Sequence, residues 1–310
     1  MSTDTRTLNN KAEATENCTS PHVGANGTAA EENHWTMVIK PHTSLFDLQL
    51  KEVWHYRDLL LLFVRRDFVT FYKQTILGPT WFFLQPIMTT IIFTFVFGRV
   101  ANLSTDGIPH VVFYLSGIVL WNYFAECINK TSNIFINNAN IFGKVYFPRL
   151  IMPLSVIVSN IMKFGVQFLL FLGVWLYYMS RGETINPNAY ALLFPFLLFL
   201  MAGVGLGLGM IISSMTTKYR DLTFLITFGV QLAMYASPVI YPLSTLQGSI
   251  RWLILINPMT SIIETFRFGF LGEGTFSWVY LGYSTLFCLL VLYAGTLIFN
   301  KVQRSFMDTV

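Results

Sequence analysis

Residue types that perform catalysis are sparse in this 310-residue chain, and none lies at the spacing of a known reaction centre. The sequence has no GxxxxGK[ST] phosphate loop, no HExxH metal motif, no GxSxG nucleophile motif and no clustered carboxylates. Cys18, Cys127 and Cys288 are too far apart in sequence for a CxxC or Cys/His site. The pattern predicts a protein that is not an enzyme and that holds no metal or cofactor of its own.

Two other features could do chemistry, but each has a structural explanation. Gly203, Gly205, Gly207 and Gly209 superficially resemble a nucleotide loop, yet they lie in an apolar run, and a nucleotide site cannot form in lipid. Their spacing of four instead favours close helix packing. Lys163 lies well inside another apolar run, where an unpartnered charge costs about 2.5 to 3.5 kcal/mol. It could line a translocation path or reach back to the cytoplasmic interface.

The elements that carry these residues are membrane helices. Hydrophobic residues make up 54% of the chain and charged residues 12%, against about 25% charged in soluble domains. Residues 1–34 lack any apolar run and are predicted to form a disordered tail. Residues 35–80 mix apolar and basic side chains, which is typical of an amphipathic segment in the cytoplasmic interface.

Residues 81–310 are predicted to form an all-α membrane domain with about six spans. Each apolar run is long enough to cross about 30 Å of hydrocarbon, and the runs are 81–98, 108–127, 150–179, 189–212, 222–241 and 278–299. Residues 251–271 are apolar but interrupted by polar residues, which favours two short re-entrant helices on one face. Placing both termini in the cytoplasm puts about three times as many Lys and Arg residues inside as outside.

Several strings then occur in a characteristic order. They are the run 72–81 (Tyr-Lys-Gln-Thr-Ile-Leu-Gly-Pro-Thr-Trp), Gln85-Pro86, Phe97-Gly98-Arg99, Ser116-Gly117 with Trp121, Tyr146-Phe147-Pro148-Arg149 with Pro153, Tyr219-Arg220-Asp221, Ser237-Pro238-Val239-Ile240-Tyr241, and Asn257-Pro258-Met259 with Arg267. From about residue 50 to its end, the chain resembles the polysaccharide-exporting ABC-2 permeases, the membrane subunits of ABC transporters for O-antigen, capsule and teichoic acid.

The resemblance implies a homodimer that works with two copies of a separate ATPase subunit, which binds the ATP and Mg²⁺. It implies a polyprenyl-linked glycan as substrate, membrane lipids as surroundings, the bacterial inner membrane as location, and no role for nucleic acid. Coupling to the ATPase is expected at the cytoplasmic loops, through Lys144, Tyr146, Arg149, Tyr219, Arg220 and Asp221. A helix cap is the alternative role for Arg220 and Asp221.

Two further groups of residues are candidates for the path and its exit. Aromatic rings near span ends either form an interfacial belt or line a path where they stack on sugars, and the candidates are Trp81, Phe82, Phe83, Tyr123, Phe124, Tyr235 and Tyr241. The resemblance implies that the segment 251–271 corresponds to the family's external gate helices, with Asn257, Pro258, Glu264 and Arg267 as candidate residues. An exposed Glu264–Arg267 pair would contribute under about 1 kcal/mol, whereas a pair buried against a dimer partner could latch the exit.

Two rival functions remain open at this point. A fold does not fix its substrate, so an ABC-2 permease for a drug or a small lipid is the main alternative. A membrane-embedded enzyme acting on lipid-linked sugars would need acidic residues or histidines at a membrane face, and the sequence has almost none.

Overall fold

The computed structural model describes residues 50–73, 78, 80–142, 147–183 and 185–307. These residues contain no β-strand, and the predicted all-α membrane fold is confirmed. The predicted tail, 1–34, lies outside the described residues, as do 35–49, 74–77 and 79 of the interface segment. The α-helices are α1 (Leu50–His55), α2 (Arg57–Lys73), α3 (Thr80–Phe93), α4 (His110–Ser132), α5 (Ile134–Asn137), α6 (Ala139–Phe142), α7 (Ile151–Ser180), α8 (Phe194–Thr216), α9 (Leu222–Tyr235), α10 (Gly248–Leu255), α11 (Pro258–Leu271) and α12 (Trp278–Met307).

Among the described residues, five helical segments are long and apolar enough to cross a membrane. They are Thr80–Val100, where α3 continues as a π-helix, His110–Ser132, Ile151–Ser180, Ala189–Thr216, where a 3₁₀ turn leads into α8, and Trp278–Val302.

The predicted span 222–241 is shorter in the structure. Helix α9 ends at Tyr235 after 14 residues, about 21 Å at 1.5 Å per residue, against a hydrocarbon core of about 30 Å. Pro238 explains the early end, because proline lacks an N–H donor and disfavours a helical conformation at the residue before it. The chain therefore has five long apolar helices and one short one among the described residues, rather than six full spans.

Helix α2 is amphipathic, as the sequence predicts for the interface segment. Its Phe63 and Val64 are buried, whereas Arg65 and Arg66 are exposed. The Phe63 ring lies 5.8 Å from the ring of Phe147, which precedes α7. This contact attaches α2 to the start of a membrane-spanning helix, so a displacement of one is transmitted to the other.

Helix α4 is the centre of the core. Every residue from 112 to 121 is buried, and α4 packs against α3, α7, α8, α9 and α11. A helix that is buried all round is enclosed by other helices rather than by lipid. Side chains that α4 carries therefore contact most of the membrane domain.

The glycines of α8 pack against two neighbouring helices, as the sequence predicts. Gly203 and Gly207 face α12, and a Cβ added at Gly207 would lie 2.8 Å from the α12 backbone. Gly205 and Gly209 face α4, where a Cβ added at Gly209 would lie 2.5 Å from the Cβ of Thr131. Both distances are too short for any larger residue, so the glycines let three helices approach closely. The packing interpretation of this sequence is confirmed.

The predicted pair of short helices between α9 and α12 is present as α10 and α11. Helix α11 ends at Leu271 and is followed by Gly272, which adopts φ +84°, a left-handed conformation that favours glycine. The segment before α8 is held against this end, because the amides of Asn186 and Asn188 donate to the carbonyls of Leu271 and Gly269. Helix α11 is thereby held at its C-terminal end by backbone hydrogen bonds.

Candidate transport site

Three of the characteristic strings meet at the side chain of Arg267 in α11. This side chain is 1% exposed and is the largest fully buried side chain among the described residues. We refer to the surrounding group as the Arg267 junction, and it consists of Phe113, Ser116 and Gly117 of α4, Pro238 and Val239 of the turn after α9, and Glu264 and Arg267 of α11.

The Arg267 guanidinium joins α11 to two other elements. Its Nη2 donates to the carbonyls of Val239 at 2.9 Å and Phe113 at 3.3 Å, and its Nη1 donates to the carbonyl of Pro238. Its Nε donates to the Ser116 hydroxyl at 3.3 Å, and its central carbon lies 3.7 Å from the centroid of the Phe113 ring. Arginine suits this position because its planar fork supplies five donors and stacks on an aromatic face.

Local sequence explains why these acceptors are available. Pro238 ends the helical run, so the carbonyls of Pro238 and Val239 have no partner within a helix and need donors where they are buried. Gly117 provides the space for the guanidinium, because a Cβ added there would lie 2.9 Å from Arg267 Nη2 and 3.1 Å from the Val239 carbonyl oxygen.

Glu264 neutralises the buried arginine from the same helix. Its Oε1 lies 3.7 Å from Arg267 Nη1, and its Oε2 accepts from the amide of Thr275 at 3.0 Å and the Thr275 hydroxyl at 3.3 Å. Burial lowers the pKa of Arg267 to about 10, against the opposing effect of Glu264, so the guanidinium is cationic at neutral pH. Of the two alternatives left open by the sequence, the exposed pair does not match the structure. The pair is buried, against α4 and the turn after α9 of its own chain.

Asn257 and Pro258 connect the start of α11 to the same turn. The Asn257 side-chain oxygen accepts from the amide of Met259 at 3.0 Å and caps the helix. Its amide nitrogen donates to the Ser237 hydroxyl at 2.8 Å. Pro258 occupies the first turn of the helix, where its missing N–H carries no cost. Two strings that are 20 residues apart in sequence thus form one hydrogen-bonded unit.

The turn between α8 and α9 presents three candidate coupling residues at the surface. Tyr219, Arg220 and Asp221 are all exposed. Asp221 occupies the N-cap position of α9, but its side chain makes no capping hydrogen bond. This geometry argues against the helix-cap alternative and leaves the turn accessible to a partner.

The other candidate coupling residues lie before α7. Lys144 and Tyr146 lie outside the described residues. Arg149 is buried, and its guanidinium carbon lies 5.5 Å from the centroid of the Phe142 ring. Burial lowers the pKa of Arg149. Arg149 therefore packs against Phe142 rather than offering an exposed charge.

The candidate channel aromatics divide by burial. Those packed inside the protomer are Phe82, Tyr123 and Phe124. In this conformation they form part of the core and do not line a path, which corrects the prediction for these three. The exposed or half-buried ones are Trp81, Phe83, Tyr235 and Tyr241. Of these, Tyr241 donates its hydroxyl to the Tyr235 carbonyl at 3.0 Å.

Sequence reasoning missed the partner of Lys163. Its Nζ forms an ion pair with Oε1 of Glu126 in α4. The second oxygen of Glu126 lies 3.5 Å from Lys130 Nζ, and Lys130 also donates to Asn160 Oδ1 at 2.7 Å. We call these four residues the Glu126 cluster. Lys163 is held by a carboxylate from a neighbouring helix, a partner that the sequence did not reveal.

Comparison with known proteins agrees with this architecture. A family model described as ABC-2 type transporter matches residues 58–271. The O-antigen export system permease protein RfbA of Klebsiella pneumoniae is 27% identical over 251 residues, covering 81% of this chain and 94% of the relative. The protein of that name from Myxococcus xanthus is 27% identical over 265 residues, covering 84% of this chain and 98% of the relative. The polysialic acid transport protein KpsM of Escherichia coli is 22% identical over 254 residues, covering 79% of this chain and 93% of the relative. The chain belongs to the ABC-2 type transporter family.

Proposed function

We propose that this chain is the transmembrane permease subunit of an exporter that moves a lipid-linked polysaccharide across the bacterial inner membrane. The observation that carries the proposal is the alignment with two O-antigen export permeases over 94% and 98% of their lengths. The polysialic acid transport protein also aligns over most of its length, 93%. A drug or a small lipid as cargo has weaker support.

We infer that the energy comes from a separate ATPase, as in other ABC-2 permeases of polysaccharide exporters. Two protomers of this chain would bind two ATPase subunits, which hold the ATP and Mg²⁺. The exposed turn of Tyr219, Arg220 and Asp221 supports a docking site there, because both charges are available for bonds to a partner. Lys144 and Tyr146 would complete that face, with both chain termini on the same side of the membrane.

The transport path is proposed to lie between two protomers. Exposed aromatic side chains at Trp81, Phe83 and Tyr235 are available to line it, and ring faces stack on sugars without holding them tightly. Closure of the ATPase subunits would push on α2 and on the α8–α9 turn, and would tilt α3 away from its counterpart in the other protomer.

The Arg267 junction is proposed to transmit this motion to the exit. It bonds α11 to α4 and to the turn after α9, so these three elements move as one body. A displacement of α9 that begins at the cytoplasmic turn would therefore shift α10 and α11 at the opposite end. The hydrogen bonds that join α11 to α4 and to the turn after α9 support a gate role for the α10–α11 pair.

Deletion of the gene in its host tests the proposal. The lipid-linked polysaccharide is then extracted and divided by membrane face, with reintroduction of the wild-type gene as the control. We expect full-length glycan to accumulate on the cytoplasmic face while surface polymer disappears. Unchanged surface glycan together with altered tolerance of drugs or detergents would instead identify a permease for small molecules.

A further inference from the structure

An apolar groove runs along the surface of the protein between α3, α4 and α7. Its volume is about 560 Å³, and Leu169, Tyr177 and Phe83 on its walls are 66%, 52% and 37% exposed. Gly173 of α7 also lines the groove, and a Cβ added there would meet no neighbouring atom within 4 Å. All three helices belong to segments long enough to span a membrane, so the groove opens towards lipid tails.

A polar cavity continues the groove at one end. Its volume is about 730 Å³, within the range of about 300 to 1,000 Å³ that is usual for ligand sites, and it shares Val111 and Tyr178 with the groove. Most of its other walls come from residues between 94 and 110, which join α3 to α4, and Glu183 lies just after α7. The polar cavity therefore lies where three spanning segments end, at the depth of lipid head groups.

The backbone between α3 and α4 shapes this cavity. Asn102 and Gly107 have φ values of +49° and +84°, a left-handed conformation that asparagine and glycine adopt more readily than other residues. A Cβ added to Gly98 would lie 2.7 Å from Cδ2 of His110. The imidazole of His110 therefore packs directly on the backbone of Gly98, and both residues form part of the cavity wall.

Two charges of opposite sign line the polar cavity without pairing. Arg99 and Glu183 are both exposed, and neither forms an ion pair with another described residue. The carboxylate of Asp106, in the same loop as Asn102, does not line the cavity and accepts from the Ser244 hydroxyl instead. The formal charges of the cavity thus cancel, which favours a ligand that carries one positive and one negative group.

We propose that α3, α4 and α7 bind one phospholipid with a zwitterionic head group. Its phosphate would bind Arg99, its ammonium would bind Glu183, and one acyl chain would lie in the groove past Gly173. A groove alone would accept any acyl chain, but the adjoining pair of charges selects the head group. The shared residues Val111 and Tyr178 join the two cavities end to end, which is the arrangement that a single amphiphilic molecule requires.

Two glycines of α7 provide a matched pair of variants for the acyl chain. Gly173→Leu places a side chain in the groove and should weaken lipid binding about tenfold, because it displaces about two methylene groups of the chain from their contacts. Gly165→Leu is the control, because a Cβ at Gly165 also meets no neighbouring atom within 4 Å and Gly165 does not line the groove. Its lipid affinity should equal that of the wild type.

Glu183→Gln tests the head group. The wild type should bind phosphatidylethanolamine about threefold more tightly than phosphatidylglycerol with the same acyl chains, the contribution of one exposed ion pair. Glu183→Gln should abolish this preference, because it removes the carboxylate that selects the ammonium. Affinities would be measured by native mass spectrometry on the purified full chain, titrated with each phospholipid and with polyprenyl phosphate.

Unfolding with and without phosphatidylethanolamine gives a second readout, because a ligand that binds only the folded protein stabilises it. Without lipid, the wild type and both glycine variants should unfold alike. Added lipid should stabilise the wild type and Gly165→Leu more than Gly173→Leu. Equal effects of the two glycine variants would overturn the groove assignment. Equal binding of the two phospholipids by the wild type, or tighter binding of polyprenyl phosphate than of phosphatidylethanolamine, would overturn the zwitterionic head group.

Discussion

Replacing Arg267 with methionine tests whether the Arg267 junction stabilises the fold. Methionine has a similar length and no charge, so the substitution removes the donors while keeping much of the volume. Four acceptors then lose the hydrogen bond from Arg267: the carbonyls of Phe113, Pro238 and Val239, and the hydroxyl of Ser116. Glu264, 2% exposed, loses its counter-ion.

The magnitude follows from these losses. Breaking a buried ion pair by removing one partner costs about 3 to 5 kcal/mol, because the remaining charge stays buried. Individual hydrogen bonds in membrane proteins average about 0.6 kcal/mol, so the four lost bonds make up about 2.4 kcal/mol of this cost. We expect Arg267→Met to destabilise the protein by about 3 to 5 kcal/mol, enough to reduce the folded yield sharply.

A double-mutant cycle separates the charge from the hydrogen bonds. In the double variant Arg267→Met with Glu264→Gln, the junction buries no charge, so part of the lost stability should be recovered. The coupling free energy between the two positions should exceed about 1 kcal/mol. Stability would be measured by unfolding the purified protein in mixed micelles with increasing denaturing detergent. The control is Arg99→Met, at an exposed arginine, for which a change within about 0.5 kcal/mol is expected. If Arg267→Met unfolds like the control, the junction does not hold these elements together.

Three further changes test other parts of the account. Gly207→Ala forces a Cβ against the α12 backbone and should destabilise the fold by about 1 to 3 kcal/mol in the same unfolding assay, whereas Gly173→Ala, with open space at its Cβ, should not. Changing Arg220 and Asp221 together to Ala should abolish surface polymer while membrane insertion and detergent stability stay normal; normal export would remove the docking assignment. Asn257→Ala should cost about 1 kcal/mol of stability by loss of a helix cap, and Asn257→Asp, which keeps the capping oxygen, should cost less.

Local patterns in the sequence were sufficient for much of the fold. The glycine spacing in α8 predicted close packing because residues four apart share a helix face, and both faces are in contact with neighbouring helices. The amphipathic character of α2 and the interrupted segment that forms α10 and α11 were also readable from residue type alone. The length of α9 was overestimated because its apolar run continues past Pro238, whose effect on the backbone outweighs hydropathy.

The candidate site was less accessible to sequence reasoning because it depends on which helix faces meet. Glu126 and Lys163 are 37 residues apart, and nothing local indicates that α4 and α7 present them to each other. The spacing of Glu264 and Arg267 did predict a pair, but their burial depends on Gly117 and on the carbonyls of the turn after α9. A charge inside an apolar run still indicates that a partner exists, which is the signal that Lys163 gave.

Transport by the purified system tests the central claim most directly. The permease and its proposed ATPase partner would be reconstituted in vesicles carrying radiolabelled lipid-linked glycan on the ATPase side, and glycan on the opposite side would be measured by its release with an impermeant glycosidase. We expect ATP-dependent release with the wild-type permease and background release when Arg220 and Asp221 are both changed to Ala. Release that is equal with and without ATP, or a glycan that never leaves the ATPase side while small lipids do, would contradict the assignment as a polysaccharide exporter.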